Sequence, residues 1–396
     1  MTKQIRTAVI GLGSRGYSML GLLCGMDDCT VCAVCDSYAD RVEAAQALIE
    51  KTCGIRPFGC TDYRDILTRT DVDAVLIMTA WEAHVEIACA ALRAKKPVGL
   101  EVGGAYTLED CYTLIREQGA TQTPFMFLEN CCYGRMEMMV MRMADEGLFG
   151  RIMHCEGGYR HDLRTEILFG EENRHYRLRN YLSRNCENYP THELGPIAQI
   201  LRINRGNRML RLTSTASASA GLNDYAFLHP EVNPDFRTRA FAQGDVVTTT
   251  ILCADGTSIV LTLDTTLSRP YSRGFAVHGT RGMYQEDGNF VFLDRDHGGT
   301  DHWDFSPEWG NAKRYLEQYE HPVWEKFLKD GVRGGHGGMD YLVYHDFFTM
   351  VRDGTPSPID VYDAAALMCI TPLSEQSIKN GSAPVSIPDF TPQERK

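Results

Sequence analysis

The sequence predicts an α/β chain of two domains. Residues 1–130 read as a doubly wound parallel sheet, and residues 131–396 as an α+β domain on a large, open-faced, mainly antiparallel sheet, with a C-terminal segment able to pack back on the first domain. Three observations carry this expectation. A short apolar run ends in a glycine cluster, Gly11, Gly13 and Gly16, that opens a helix-like segment. Strand-length apolar runs and helix-length amphipathic runs then alternate as far as Asn130. Beyond residue 146 the runs become alternating and are punctuated by turns such as Asp255-Gly256, the pattern of antiparallel pairs. With 396 residues and 43% hydrophobic side chains, the chain also exceeds what one compact core accommodates.

In chain order, Thr7-Ala8-Val9-Ile10 is a short buried strand, and the glycines after it have the spacing G-x-G-x-x-G. The first permits a tight turn, the second lets backbone approach a pyrophosphate, and the third lets the helix over residues 14–26 pack on the strand. That helix starts at Ser14 and Arg15, with its positive end toward phosphate charge. The next apolar run, residues 31–35, ends in Asp36. An acid about twenty residues after the last glycine accepts a ribose hydroxyl and repels a 2′-phosphate, so strand, turn, helix, strand and acid together indicate a Rossmann site for NAD rather than NADP. Strands over 74–80, 97–102 and 124–130, with helices over 82–94 and 108–119, complete the sheet. Ligands in such sheets lie at the carboxyl ends of the strands. Trp81 and His84, Glu101 and Val102, and Glu129 and Asn130 are therefore expected to line one crevice.

After a helix over 133–146, runs at 246–253 and 259–266 read as strands, and the segments between are rich in His, Tyr and Arg, as a sheet face open to a ligand would display. Four clusters stand out. Tyr159-Arg160-His161-Asp162-Leu163-Arg164 follows a strand-like run, Tyr189-Pro190-Thr191-His192-Glu193 opens a helix-like run, and Arg269-Pro270-Tyr271-Ser272-Arg273 is expected to close a strand. Gly334-Gly335-His336-Gly337-Gly338-Met339-Asp340 is a loop before a helix, and four glycines around one histidine make His336 its main polar group.

The net charge of -12 and the scattered basic residues exclude a nucleic-acid or anionic-membrane surface and leave small molecules as the expected partners. No transmembrane run is present, and residues 1–6 enter the first strand without an apolar signal region, so a cytoplasmic setting is expected. Fourteen cysteines are too sparse for a disulfide scaffold. Cys29, Cys32 and Cys35 repeat at a metal-knuckle interval but lie in a β-branched run, and one extended strand cannot fold its own thiolates around an ion; no metal is expected.

These residues resemble a known group. Residues 6–391 are similar to the NAD-dependent alpha-N-acetylgalactosaminidases, glycoside hydrolase family 109, a glycosidase branch of the Gfo/Idh/MocA oxidoreductase superfamily. The carriers are the glycine turn, Glu129-Asn130-Cys131-Cys132-Tyr133-Gly134-Arg135, Tyr189-Pro190-Thr191-His192, Arg269-Pro270-Tyr271-Ser272-Arg273, the Gly334 to Asp340 loop and Ile387-Pro388-Asp389-Phe390-Thr391. The resemblance implies that Arg15, Gly16, Asp36, Trp81, His84, Glu101, Val102 and Asn130 contact NAD. It also implies that Tyr159, Arg177, Tyr189, Pro190, Thr191, His192 and Tyr271 contact a sugar. Dehydrogenases of the superfamily carry Glu-Lys-Pro where this chain reads Glu101-Val102-Gly103, so the proton of a sugar hydroxyl has to go elsewhere, and His192 is the candidate by type.

The implied reaction is an oxidation–elimination with tightly held, recycled NAD, an exception to two-carboxylate glycoside hydrolysis. In it His192 takes the C3 hydroxyl proton, Tyr159 or Tyr189 handles the C2 proton, with Arg164 or Arg177 lowering the tyrosine pKa, and Glu129 or His336 assists the leaving group. Two departures bear on the substrate: Glu193, where a small or neutral residue is expected, and Gly103-Gly104, where Pro-Ala is usual. By the same analogy the chain forms a homodimer through the open sheet face. The competing readings are a plain sugar dehydrogenase, a 3-keto-glycoside lyase and a non-catalytic sensor.

Overall fold

The structure is a computed structural model and describes residues 4–297 and 308–395; the first three residues, part of the N-terminal reading above, lie outside it. The chain divides into two compact units, residues 1–130 with 332–365, and residues 131–331 with 366–396. Residues 332–365, placed by the sequence in the second domain, thus belong to the first, while the last thirty or so residues stay with the second.

The first unit is built on six strands, β1 Ile5–Ile10, β2 Cys29–Cys35, β3 Phe58–Cys60, β4 Ala74–Ile77, β5 Val98–Leu100 and β6 Phe125–Phe127. Their order is β3-β2-β1-β4-β5-β6 and every pairing is parallel. β4, β5 and β6 are buried on both faces, which is why they read as unbroken apolar runs rather than alternating ones. They end two or three residues earlier than the apolar runs suggest, although the Met78 and Leu128 N–H groups still donate to the Ile10 and Leu100 carbonyls of the neighbouring strands. The helix Ala39–Cys53 and the three-residue strand β3 were not marked by periodicity.

The returning segment closes this unit. Its helix Met339–Asp353 buries Val343, Tyr344, Phe347, Phe348 and Met350, at about 1.5–3 kcal/mol for each large apolar side chain. The Phe127 N–H donates to the Ile359 carbonyl at 2.9 Å, so the open edge of β6 is partly satisfied by this segment.

The second unit carries β7 Ile152–Arg160, β8 Met209–Ala216, β9 Val246–Cys253, β10 Ser258–Asp264, β11 Ala276–Gly279, β12 Gly282–Gln285, β13 Phe290–Leu293 and β14 Val385–Ser386. Their order is β13-β12-β11-β7-β10-β9-β8-β14, and only the β7–β10 pair is parallel. Along β9 and β10, Val247, Thr249, Ile251, Ile259, Leu261 and Leu263 are buried, while Thr248 and Thr250 are exposed, so one face is core and the other open. The helix Thr191–Ile200 packs on β7 and the helix Ile370–Lys379 on β8.

Residues 269–273 do not close a strand. They lie between β10 and β11, joined to β7 only by a bridge from Ser272 to Arg160. Pro270 has no N–H for a ladder, and Gly274 adopts φ +58°, where a Cβ would fall on the Arg160 guanidinium. The helix expected over 133–146 is present at Arg135–Asp145, preceded by a 3₁₀ turn at Asn130–Tyr133.

Candidate active site

In the first unit, β1 is followed by Gly11 with φ +97°, and a Cβ there would sit 2.5 Å from the Met78 backbone, so both conformation and space demand glycine. A Cβ on Gly16 would fall on the Gly11 carbonyl oxygen, which is how the helix Ser14–Cys24 comes close to the strand. Gly13 is the residue before that helix, without a side-chain cap, and its own Cβ direction is open apart from Arg41 Nη1 at 3.7 Å. The first-turn N–H groups are therefore not taken by a capping side chain, the arrangement that binds phosphate. Asp36 stands at the end of β2: Oδ2 accepts from the Leu12 N–H at 2.7 Å and Oδ1 from the Tyr38 N–H at 3.0 Å. Arg41 lies 3.7 Å from Oδ2, drawn toward the acid. Beside this turn is a groove of about 270 Å³ lined by Leu12, Gly13, Ser14, Tyr17, Asp40, Arg41 and Ala44.

Arg15 joins the ends of distant segments. Its Nε donates to Glu101 Oε1 at 2.9 Å and its Nη2 to Asp340 Oδ1 at 2.8 Å. The same Asp340 oxygen accepts from Asn130 Nδ2 at 2.8 Å, while Oδ2 meets His336 Nδ1 at 2.7 Å. Glu101 Oε2 accepts from the Val102 N–H at 3.0 Å, and Tyr344 donates to Oε1 at 3.3 Å. Burial alone would raise the Asp340 carboxyl, but the hydrogen bonds from His336 and Arg15 outweigh it and hold the group well below the usual carboxylate range. Burial holds His84 down at about 4, so its ring is neutral and Nε2–H donates to the Thr79 carbonyl at 3.0 Å. Gly103 has a structural reason of its own: a Cβ would fall on the indole of buried Trp81.

In the second unit, β7 ends at Arg160, and Tyr159 and His161, two apart on an extended chain, point the same way. Tyr159 Oη lies 2.9 Å from His161 Nδ1. Ring centroids place Tyr189 4.5 Å and His192 5.5 Å from Tyr159, with Tyr189 and His192 4.8 Å apart and Tyr271 5.1 Å from His161. The Arg177 guanidinium lies 5.2 Å from the Tyr189 ring and is paired to Glu166 at 2.7 Å. Pro190 and the buried Thr191 form the turn that starts the helix Thr191–Ile200 and present Tyr189 and His192 on one side of it.

The cluster corrects one expectation. Burial pushes Tyr159 up to about 12 against the pull of Arg177, so no net positive field makes it a ready base, and Arg164 is engaged with Asp162 at 2.7 Å. His161, which the sequence reading passed over, is lowered by burial and then by the Arg177 charge. A protonated phenol thus faces a neutral imidazole, a pair able to relay a proton. The available signal was the two-residue spacing from Tyr159.

Glu129, fully buried, follows β6 in the first unit, and His336 is tied to Asp340 there. Glu193, fully buried, lies 3.5 Å from Arg273, which also pairs with Glu137, so this departure is a counterion inside the second unit. A carboxylate here balances a buried guanidinium.

Residues 5–126 match the oxidoreductase family with an NAD-binding Rossmann fold, and residues 133–396 match the glycosyl hydrolase 109 C-terminal domain. The first unit is accordingly an NAD-binding domain of the Gfo/Idh/MocA type. An alpha-N-acetylgalactosaminidase of Tannerella forsythia is 38% identical over 98% of this chain and 86% of its own, and one of Shewanella oneidensis is 35% identical over 98% and 85%. The chain belongs to glycosyl hydrolase family 109 and is a glycoside hydrolase with an NAD-binding domain. In fold it is similar to myo-inositol 2-dehydrogenase of Lactobacillus plantarum (TM-score 0.69, 16% identity, 98% of this chain and 100% of that one). A comparable likeness holds to the Lactobacillus casei myo-inositol dehydrogenase solved with NAD(H) and myo-inositol (TM-score 0.67, 16% identity, with the same coverage). No helix among the described residues is long and apolar enough to cross a membrane.

Proposed function

We propose that this hydrolase cleaves an alpha-linked N-acetylgalactosaminide-like glycoside by oxidising the sugar transiently at C3. The observation that carries this reading is the Tyr159, His161, Tyr189 and His192 cluster, a set of hydroxyl- and carbon-acid proton carriers in a chain that also holds a dinucleotide cradle. The relatives' activity supports the substrate class. The glycine turn, the uncapped helix start and Asp36 fit a dinucleotide: Gly11, Gly13, Ser14, Gly16 and the backbone of Arg15 would hold its pyrophosphate side and Asp36 its ribose. Trp81, His84, Glu101, Val102 and Asn130, at or after the carboxyl ends of β4, β5 and β6, would hold its nicotinamide side. When bound, NAD supplies a hydride acceptor that later returns the hydride, so none is consumed overall.

The residues then divide the proton transfers. His192 takes the C3 hydroxyl proton as C3 becomes a carbonyl, which acidifies the hydrogen at C2. Tyr159, relaying to His161, removes that hydrogen, and the bond from C1 to the leaving oxygen breaks by elimination. Glu129 protonates the leaving group; His336 is set aside because Asp340 already engages it. Water adds at C1, a proton returns to C2, and reduction of C3 restores the sugar. Arg177 and Tyr271 orient the hydroxyl and C2 groups.

A chromogenic alpha-N-acetylgalactosaminide incubated in D2O with purified protein and no added cofactor tests this. The expected result is aglycone release, deuterium at C2 of the product and no accumulation of NADH. Net NADH would indicate a dehydrogenase, an unsaturated or keto sugar a lyase, and hydrolysis with C2 hydrogen retained would remove the elimination route.

A further inference from the structure

The glycine loop before the helix Met339–Asp353 is shaped around a carboxylate. His336 sits at φ +49°, an unfavourable conformation for a side-chain-bearing residue, between glycines of which Gly337 and Gly338 are left-handed too. A Cβ on Gly335 would stand 2.8 Å from Asp340 Oδ2, so that glycine leaves room for the acid. Asp340 is fully buried, and every polar contact it makes is with a charged or polar side chain of the first unit: Arg15, Asn130 and His336.

Two of those partners are incompletely satisfied. Arg15 Nη1 and Asn130 Oδ1 are buried and have no hydrogen-bond partner among the described residues. Their other ends converge on the same oxygen, since Arg15 Nη2 and Asn130 Nδ2 each reach Asp340 Oδ1 at 2.8 Å. Because Asn130 Nδ2 donates, its Oδ1 is an acceptor; Arg15 Nη1 can only donate. Orphaned buried donors and acceptors are costly unless a ligand completes them. A donor and an acceptor whose side chains are held on one carboxylate oxygen offer the complement of a primary amide. Asn130 follows β6 and Arg15 is also bonded to Glu101 after β5, in the half of a dinucleotide-binding sheet that takes the nicotinamide.

We infer that Asp340 is a positioning residue for the cofactor, holding Arg15 and Asn130 so that Arg15 Nη1 and Asn130 Oδ1 together read the carboxamide of nicotinamide. This rests on the NAD reading above and adds to it a residue and a recognised group. Asn130 accepts from the amide NH2 and Arg15 donates to the amide carbonyl.

The test measures dissociation constants of the wild-type protein and Asp340→Asn for NAD and for 3-acetylpyridine adenine dinucleotide, in which a methyl group replaces the amide NH2, alongside Tm. The wild type is expected to prefer NAD by about tenfold, the worth of one buried hydrogen bond to a polar group. In D340N both affinities fall, because both dinucleotides keep the carbonyl that Arg15 reads, but NAD falls by about tenfold more than the analogue, so the preference collapses. A merely structural role would weaken both dinucleotides by the same factor, and that result, or no change in either, overturns the inference. Should D340N not fold, Asn130→Ala decides: it removes the acceptor for the amide NH2, the one group the analogue lacks, so the preference should again collapse, and its retention overturns the inference. Failure of the wild type to bind either dinucleotide would instead defeat the NAD reading itself.

Discussion

Glu187 is fully buried two residues before Tyr189, and burial pushes its carboxyl up to about 8, only partly offset by the Tyr189 N–H. A carboxyl whose folded pKa lies above its unfolded value is neutral in the folded protein at pH 7. Its effect on stability is absent below about pH 4.5, where both states are protonated, and the loss accumulates as pH rises from there to about 8. Glu187→Gln should therefore flatten the decline and be more stable than the wild type at pH 9 by on the order of 3–5 kcal/mol, with little difference at pH 4.5. Urea unfolding at three pH values checks it. At the reacting cluster, His161→Ala should lower kcat by about 10²–10⁴ with NAD still bound, because Tyr159 loses its acceptor. His192→Ala should abolish turnover and also leave NAD bound, and full activity in either variant would strike that residue from the mechanism. His161 was visible only as one member of a polar cluster; that its ring faces the Tyr159 hydroxyl depends on how β7 ends.

The glycine turn between β1 and the helix Ser14–Cys24 does not tolerate a methyl group. A Cβ at position 16 meets backbone rather than a flexible side chain, so the helix must move away from the strand. Gly16→Ala is expected to reduce NAD affinity at least about tenfold and to lower Tm by several degrees, read by titration and by calorimetry. Such an element was legible because a parallel strand, a G-x-G-x-x-G turn and a helix are encoded in one unbroken run, Ile5 to Cys24, by sterics and periodicity. Residues 269–273 were not, since a polar segment after an alternating run looks the same whether or not its backbone finds a ladder. The proline and the left-handed glycine that stop it act through Arg160 on another strand.

For the whole molecule, the return of residues 332–365 to the first unit predicts that residues 1–130 do not fold on their own. Expressed alone, residues 1–130 lack the helix that buries Phe347 and Phe348 and the carbonyl of Ile359 that meets β6. That fragment is expected to aggregate and to bind no NAD, whereas residues 1–130 joined by a flexible linker to 332–365 should give a cooperative thermal transition. A soluble, NAD-binding 1–130 fragment would show that the segment is dispensable.

Local physics made some features readable from composition and order alone: the dinucleotide turn, the alternation of the first sheet, the change to antiparallel patterning, and the motifs that mark the family. Each depends on neighbours within a few residues, where backbone sterics and side-chain period leave few choices. Other features were decided by contacts between residues far apart in the chain. Arg15 and Asp340 are separated by 325 positions, and Asn130 and Asp340 by 210. The neutral His161, the burial of Glu187 and the pairing of Glu193 with Arg273 likewise follow from packing. A charge or a proton is stabilised by whatever the folded chain brings within a few ångströms, and no local pattern carries that information.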